Sequence, residues 1–185
     1  LIIPETNKKE WNLISNVIKI KRAEPFNLSL IKDISNKLKN TVFIDEIKSS
    51  AYEFTDDQAT IYVYAKPVSK NSLNGLIGIQ PSENGNIQFT GNVSLNFINS
   101  LNYGEQLKIN WRRMFNASQN LITEIRVPFL FNSNFEINGY VNMIKKDSSF
   151  FNFDGKTSLN YLVKNNFSVG VLLSHFNSTN LLENN

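Results

Sequence analysis

From residue 87 almost to its end, this sequence alternates apolar and polar residues one by one. Residues 87–97 set Ile87, Phe89, Gly91, Val93, Leu95 and Phe97 against Gln88, Thr90, Asn92, Ser94 and Asn96. Leu107, Ile109 and Trp111 follow, then Leu121, Thr123, Ile125, Val127 and Phe129, then Phe135, Ile137, Gly139, Val141 and Met143. Phe151, Phe153, Gly155, Thr157, Leu159, Tyr161 and Val163 form the longest set, and Phe167, Val169, Val171 and Leu173 close the series. A period of two belongs to a β-strand, whose side chains leave alternately from its two faces. With the shorter Leu73–Gln80 segment, about seven strands are predicted. The connections at Pro81–Asn86, Asn99–Gly104, Asn116–Gln119, Asn132–Asn134, Lys146–Ser149 and Lys164–Asn166 are short and polar, which predicts an antiparallel meander.

Alternation serves two architectures, a soluble sandwich that buries one face and a membrane barrel that turns it to lipid. Three details favour the barrel. The apolar face carries no charge in the middle of any strand, where lipid penalises Lys or Arg by roughly 2–4 kcal/mol. Several strands run about 10–13 residues, near the length of a tilted membrane strand and beyond the 5–6 usual in soluble sheets. Aromatics gather towards strand ends, with Phe97, Tyr103, Trp111, Phe115, Phe129, Phe131, Phe150, Phe151, Phe167 and Phe176 placed as interfacial girdles would be. The candidate lipid-facing aromatics are Phe89, Phe97, Trp111, Phe129, Phe135, Phe151 and Phe153. Lys108, Arg112, Glu124, Arg126, Glu136, Asp154 and Lys156 fall on the opposite, polar face, as lumen charges that form cross-strand pairs or steer a passing polypeptide.

The N-terminal part is different in kind. Of residues 1–70, 20 are charged, against 15 of residues 71–185, so a domain boundary is expected near Asn71. Residues 7–18 place Trp11, Ile14 and Ile18 along one helical face, and residues 27–39 do the same with Leu30, Ile31, Ile34 and Leu38. Asn27 is the expected N-cap of the second helix, with Lys37 and Lys39 near its negative C-terminal end. Val42–Ile47 and Ala51–Phe54 read as extended, Thr55-Asp56-Asp57 as a turn, and Ala59–Ala65 as a strand alternating Ile61, Val63 and Ala65 with Tyr62 and Tyr64. The order α-α-β-β predicts a small α+β module over residues 1–70, followed by an all-β meander over residues 71–185.

Composition narrows the chemistry. There is no cysteine, which excludes thiolate metal sites, and the one histidine, His175, leaves histidine metal sites and a Ser-His-Asp triad little to work with. No nucleophile elbow accompanies any serine, and no cofactor, metal or catalytic step is expected. Asp56 and Asp57 read as turn residues, Asp45-Glu46 and the Lys8-Lys9 and Lys19-Lys21-Arg22 clusters as solvated surface, and His175 as interfacial. The pI is near 9.0, yet basic and acidic residues interleave and no aromatic–basic platform appears, so nucleic acid is not an expected partner.

The order of these parts resembles the outer-membrane assembly-factor superfamily, which includes BamA- and TamA-like proteins and two-partner secretion transporters. In that superfamily a periplasmic POTRA domain feeds directly into a large β-barrel. Glu24-Pro25-Phe26-Asn27 with the Leu30–Leu38 helix is similar to the second POTRA helix, and Phe43 to Ala65 to its last two strands. Leu73-Asn74-Gly75-Leu76-Ile77-Gly78 resembles the start of the first barrel strand. Gly104-Glu105-Gln106-Leu107-Lys108-Ile109-Asn110-Trp111, Ser118-Gln119-Asn120-Leu121, Val127-Pro128-Phe129-Leu130-Phe131 and Lys146-Asp147-Ser148-Ser149-Phe150 resemble segments of Bacteroidetes-type members. The resemblance covers most of residues 20–165 and lies in the order of short motifs.

It implies a location in the bacterial outer membrane, with the module in the periplasm, and insertion or translocation of unfolded client polypeptides by strand augmentation. The first strand, with Leu73, Gly75, Ile77, Gly78 and Ile79, would be one side of a lateral gate. The strand with Ile61, Tyr62, Val63 and Tyr64 would be the POTRA edge. Client polypeptides, outer-membrane lipid and accessory assembly subunits are the partners implied. Alternatives are a two-partner secretion barrel, a barrel anchoring a surface domain, or a soluble β-rich binding module. About sixteen strands, a Val-Arg-Gly-aromatic loop and a closing strand belong to the superfamily, and none of these is completed here. The meander is therefore expected not to close alone, being either a piece of a longer chain or completed by another.

Overall fold

A computed structural model of the chain describes residues 7–20, 25–56, 58–81, 85–114, 118–146, 149–164 and 167–181. Helices α1 (Lys8–Ile18) and α2 (Leu28–Lys39) come first. Each starts where an asparagine side chain accepts a hydrogen bond from the backbone two residues on, Asn7 from Lys9 and Asn27 from Ser29. Both helices lie on one face of a two-stranded antiparallel sheet, β1 (Ile44–Thr55) and β2 (Gln58–Pro67). The core of this module is Leu13, Ile14, Val17, Ile18, Ile34, Leu38, Phe43, Ile44, Ile61, Val63 and Ala65. The extended segments Val42–Ile47 and Ala51–Phe54 run together as one strand, β1, the first of the two expected. Its pairing with β2 shifts register between Glu46 and Lys48 and again between Lys48 and Ala51, and such bulges blur the period of two in the sequence.

After Val68 and Ser69 the chain enters a second sheet of seven strands: β3 (Lys70–Pro81), β4 (Ile87–Ile98), β5 (Gln106–Arg113), β6 (Gln119–Val127), β7 (Phe135–Lys146), β8 (Phe150–Lys164) and β9 (Phe167–Asn180). Each pairs antiparallel with its sequence neighbours, in the order β3 to β9. The sheet is open, because β3 and β9 are its two edges and do not meet. The fold class is thus the expected one, an α+β module followed by an antiparallel meander that does not close on itself. Two strands are longer than alternation alone predicts. β3 begins at Lys70, and β9 continues through polar residues to Asn180 because each of them has a partner on β8.

The register carries every alternating set onto one face. Across the sheet one row reads Leu73, Leu95, Ile109, Thr123, Val141, Gly155 and His175, and the next Gly75, Val93, Trp111, Leu121, Met143, Phe153 and Asn177. The opposite face reads Ser72, Asn96, Lys108, Glu124, Tyr140, Lys156 and Ser174 in one row. Nothing in the described chain covers the apolar face: Leu73, Ile77, Val171 and Leu173 are each about two-thirds or more exposed. The charges on that face, Arg113 and Lys145, sit near the strand ends farthest from the module. The buried hydrophobic core therefore lies wholly in the module and its junction. Leu38 is fully buried there, and Leu38→Ala is expected to destabilise the module by about 2–5 kcal/mol in denaturant unfolding.

Candidate functional site

The unpaired edge of β3 and the junction that connects it to the module form one continuous structure. β3 pairs with β4 over its whole length, from Lys70 opposite Ile98 to Pro81 opposite Ile87, without a register shift. Gly75 and Gly78 therefore mark no bulge. The close contact lies across the pair: Gly91 has φ +152°, and a Cβ there would meet the Leu76 carbonyl oxygen at 2.2 Å. The other edge of β3 has no strand beside it among the described residues, and Leu73, Leu76, Ile77 and Ile79 are exposed along it.

At the module end, one side chain ties the two sheets together. Asn99 is fully buried and holds a left-handed backbone, with φ 55°. Its Nδ2 donates to the Val68 carbonyl at 3.2 Å, and its Oδ1 accepts the Gly104 amide at 2.9 Å. Its own carbonyl accepts the Ser69 hydroxyl at 2.6 Å, and its amide donates to the Glu105 carbonyl at 2.7 Å. Glu105 then accepts the amides of Leu101 and Tyr103. Gly104, at φ +75°, lies so close to Phe43 and Leu13 that a Cβ would meet their side chains at 2.9 and 3.1 Å. Lys70 also pairs with Asp45 at 2.9 Å. The first module-side turn of the sheet, between β4 and β5, is thereby plugged into the module core beside the start of β3.

The second module-side turn, residues 128–134, does the same. Phe129 packs against the module core, so it leaves the apolar band on which alternation places it. Arg126 and Glu136 form a two-pronged pair beneath this turn, Nε at 2.8 Å and Nη2 at 2.6 Å from the same carboxylate oxygen. Glu136 is buried and also accepts from Asn138. The residues that face the module here (Ile98, Gln106, Arg126, Glu136 and Leu162) all belong to the polar face of the sheet. The module thus sits at the mouth of that face. A cleft of about 450 Å³ opens between them, lined among others by Lys19, Asp33, Asn36, Arg126, Phe129 and Glu136. Burial, and then the charge of Lys37, lowers the pKa of Lys19 from its ordinary value.

The remaining expected residues fall as follows. All seven charges, Lys108, Arg112, Glu124, Arg126, Glu136, Asp154 and Lys156, share the polar face. Lys108 stands opposite Glu124, and Lys156 pairs with Asp154 on its own strand at 3.1 Å. Around them runs a net of amides and hydroxyls, including Ser94 to Asn110, Asn120 to Asn142 and Ser178 to Asn152. Phe89, Phe97, Trp111, Phe135, Phe151 and Phe153 lie on the apolar face. Phe150 and Phe176 do not: they stand opposite Lys146 and Asp154 on the polar face, because their positions in the register have the other parity. Phe115 and Asp57 lie outside the described residues.

On β2, Ile61 and Val63 are buried beneath the helices. Tyr62 and Tyr64 face the other way, where the Tyr62 hydroxyl donates to Glu53 at 2.9 Å and Lys48 lies 3.8 Å above the Tyr64 ring. That hydrogen bond to Glu53, with the carboxylate's charge, raises the Tyr62 pKa. Asn99 is the junction residue that sequence reasoning misses, since nothing in the sequence separates it from Asn102 of the same turn. The described residues hold no cluster of three or more His, Cys, Asp or Glu able to bind a metal, and no helix is long and apolar enough to cross a membrane.

No family model matches the chain, and no curated protein matches it. Among solved structures its fold is similar to that of BamA from Haemophilus ducreyi lacking POTRA domains 1–3, with TM-score 0.59 and 18% identity. The match covers 89% of this chain and 32% of that one, so the chain spans under a third of that structure's length. Asn99→Ala removes two buried side-chain hydrogen bonds and leaves a left-handed alanine. It is expected to cost about 2–4 kcal/mol, read as faster amide exchange at residues 98–105 and 68–70.

Proposed function

We propose that this chain is the junction and first strands of an outer-membrane protein that inserts or translocates unfolded polypeptides by adding strands to an open sheet edge. The observation that carries the reading is the pairing of an uncovered apolar face with an unpaired edge at β3. An apolar face that no protein covers fits lipid, where each unpaired backbone amide or carbonyl costs several kcal/mol. An edge in that setting strongly favours any incoming strand. The fold similarity to BamA, over most of this chain, supports the same assignment.

On this reading the module lies in the periplasm, at the mouth of the polar face, and a client polypeptide reaches β3 past it. The edge of β2 is a second acceptor strand: β1 is broken by two bulges, whereas β2 runs unbroken from Gln58 to Pro67. The polar face, with its amide net and balanced charges, offers a client hydrogen bonds without a strong field. Accessory subunits would meet the module, and no catalytic step, metal or nucleotide enters.

The test uses the parent protein in cells. A photo-reactive amino acid at Leu76, on the open edge strand, is expected to capture newly made outer-membrane proteins, at least tenfold more than one at Leu159 on β8, which is paired on both sides. The protein is expected in the outer-membrane fraction with a heat-shifted gel band. Equal capture at both positions, or a soluble unshifted protein, would overturn the assignment.

A further inference from the structure

We propose that Arg113, Gln119 and Lys145 form a binding site for the phosphate of an anionic lipid, in the membrane leaflet away from the module. The inference rests on the reading that the apolar face meets lipid.

The register sets these three residues in one row across three neighbouring strands, Arg113 opposite Gln119 and Gln119 opposite Lys145. All three belong to the apolar face. In the described strands Arg113 and Lys145 are the charges of that face, both are cations, and no acid stands on it. Among the described residues neither has a carboxylate partner. The polar face is built the other way, with Arg126 paired to Glu136, Lys156 to Asp154 and Lys108 set opposite Glu124. Two unbalanced positive charges on an otherwise uncharged face call for an anion from outside the chain.

Their depth says what carries that anion. Lys145 lies ten residues along β7 from Phe135, at the module end of the strand. Ten residues span about 34 Å along a strand, or about 26 Å of depth at a tilt of about 40°. A barrel's apolar band is roughly 25 Å tall, so the row falls where hydrocarbon gives way to headgroups. Lipid tolerates Lys and Arg there and penalises them farther in. One row inward the face is apolar again, with Trp111, Leu121 and Met143 in register, a surface for the acyl chains of the same molecule.

The spacing suits one phosphate between the two cations. Arg113 and Lys145 lie two strands apart, about 10 Å between backbones, so both long side chains reach a group centred over Gln119. A guanidinium binds two phosphate oxygens side by side, an ammonium adds a point charge, and the Gln119 amide donates between them. Gly91 stands opposite Arg113 on β4 and adds no side chain to crowd the site. The Met114 amide donates to the Ser118 carbonyl at 2.9 Å just beyond Arg113 and Gln119, and the Ser149 amide to the Lys146 carbonyl at 2.9 Å beside Lys145. Those bonds fix the strand ends on which the row stands.

Trp111 is a built-in reporter, two residues from Arg113 on the same face. With the other tryptophans of the full protein, Trp11 among them, replaced by Phe, the protein is reconstituted in phosphatidylcholine vesicles. Equal small fractions of brominated phosphatidylglycerol or brominated phosphatidylcholine are then introduced. The anionic lipid is expected to quench Trp111 at least about twofold more than the zwitterionic one. Arg113→Gln with Lys145→Gln is expected to remove that preference, while continued quenching by phosphatidylcholine shows that the variant still inserts. Arg112→Gln with Lys146→Gln, an equal loss of charge at the same end of the polar face, is expected to leave the preference intact. An equal effect from both pairs, or no preference before substitution, would overturn the site and leave the lipid reading standing. Inorganic phosphate at constant ionic strength is expected to change nothing; loss of the preference there would assign the cations to a free anion and overturn the lipid site. If neither lipid quenches Trp111, the lipid reading falls with the site.

Discussion

A strand sends its side chains to two faces and its backbone groups to two edges, and all four directions must find a partner. In the seven-stranded sheet the polar face pairs most of its groups through amides, hydroxyls and a few ion pairs, and the inner strands satisfy one another's backbones. The apolar face and the two edges are left open. Each Leu, Ile or Phe kept in water instead of an apolar surrounding forgoes about 1.5–3 kcal/mol, and this face carries more than a dozen such residues. A surrounding that accepts the face, as lipid does, makes the edges more demanding, because it offers their amides nothing. The two open features thus reinforce each other, and they coincide at the two edge strands, β3 and β9; the proposed function assigns the accepting role to β3, which adjoins the module.

The module gains its meaning from where it is attached. Its own core is small, and two turns of the sheet complete it: Gly104 lies against Phe43 and Leu13, and Phe129 adds to the same cluster. Asn99, itself fully buried, then links the inter-sheet residues Val68 and Ser69 to the first of these turns through hydrogen bonds. Displacement of the module would pull on the residues immediately before β3. Under the proposed function, that connection would couple the module to the strand edge beside it.

Much of this was legible in the sequence, because a period of two is set by backbone geometry and survives any tertiary context. Six of the seven aromatics assigned to the apolar face lie there, and all seven polar-face charges share one side. The failures have local causes. Phe129 follows the alternation on paper, but Pro128 ends the strand and the chain turns into the module. Residue type groups Phe150 and Phe176 with the girdles, whereas parity in the register decides the face. Ser174–Asn180 are too polar to look like a strand, and pairing with β8 makes them one. Gly104-Glu105 stood out as a motif without a reason. The glycine is needed for close approach to the core, and the glutamate caps two amides of the turn. Asn99 gave no signal because burial, not identity, makes it special.

The central claim, that the odd-numbered face of the sheet meets lipid, is tested most directly along β8. Nitroxide labels placed singly at residues 151–163 of the reconstituted protein report collisions with oxygen, which partitions into lipid, and with a water-soluble nickel chelate. The account predicts a strict period of two, with odd positions reached by oxygen and even positions by the chelate. Odd positions reached by neither reagent would mean that a second protein sheet covers the face, and would contradict it.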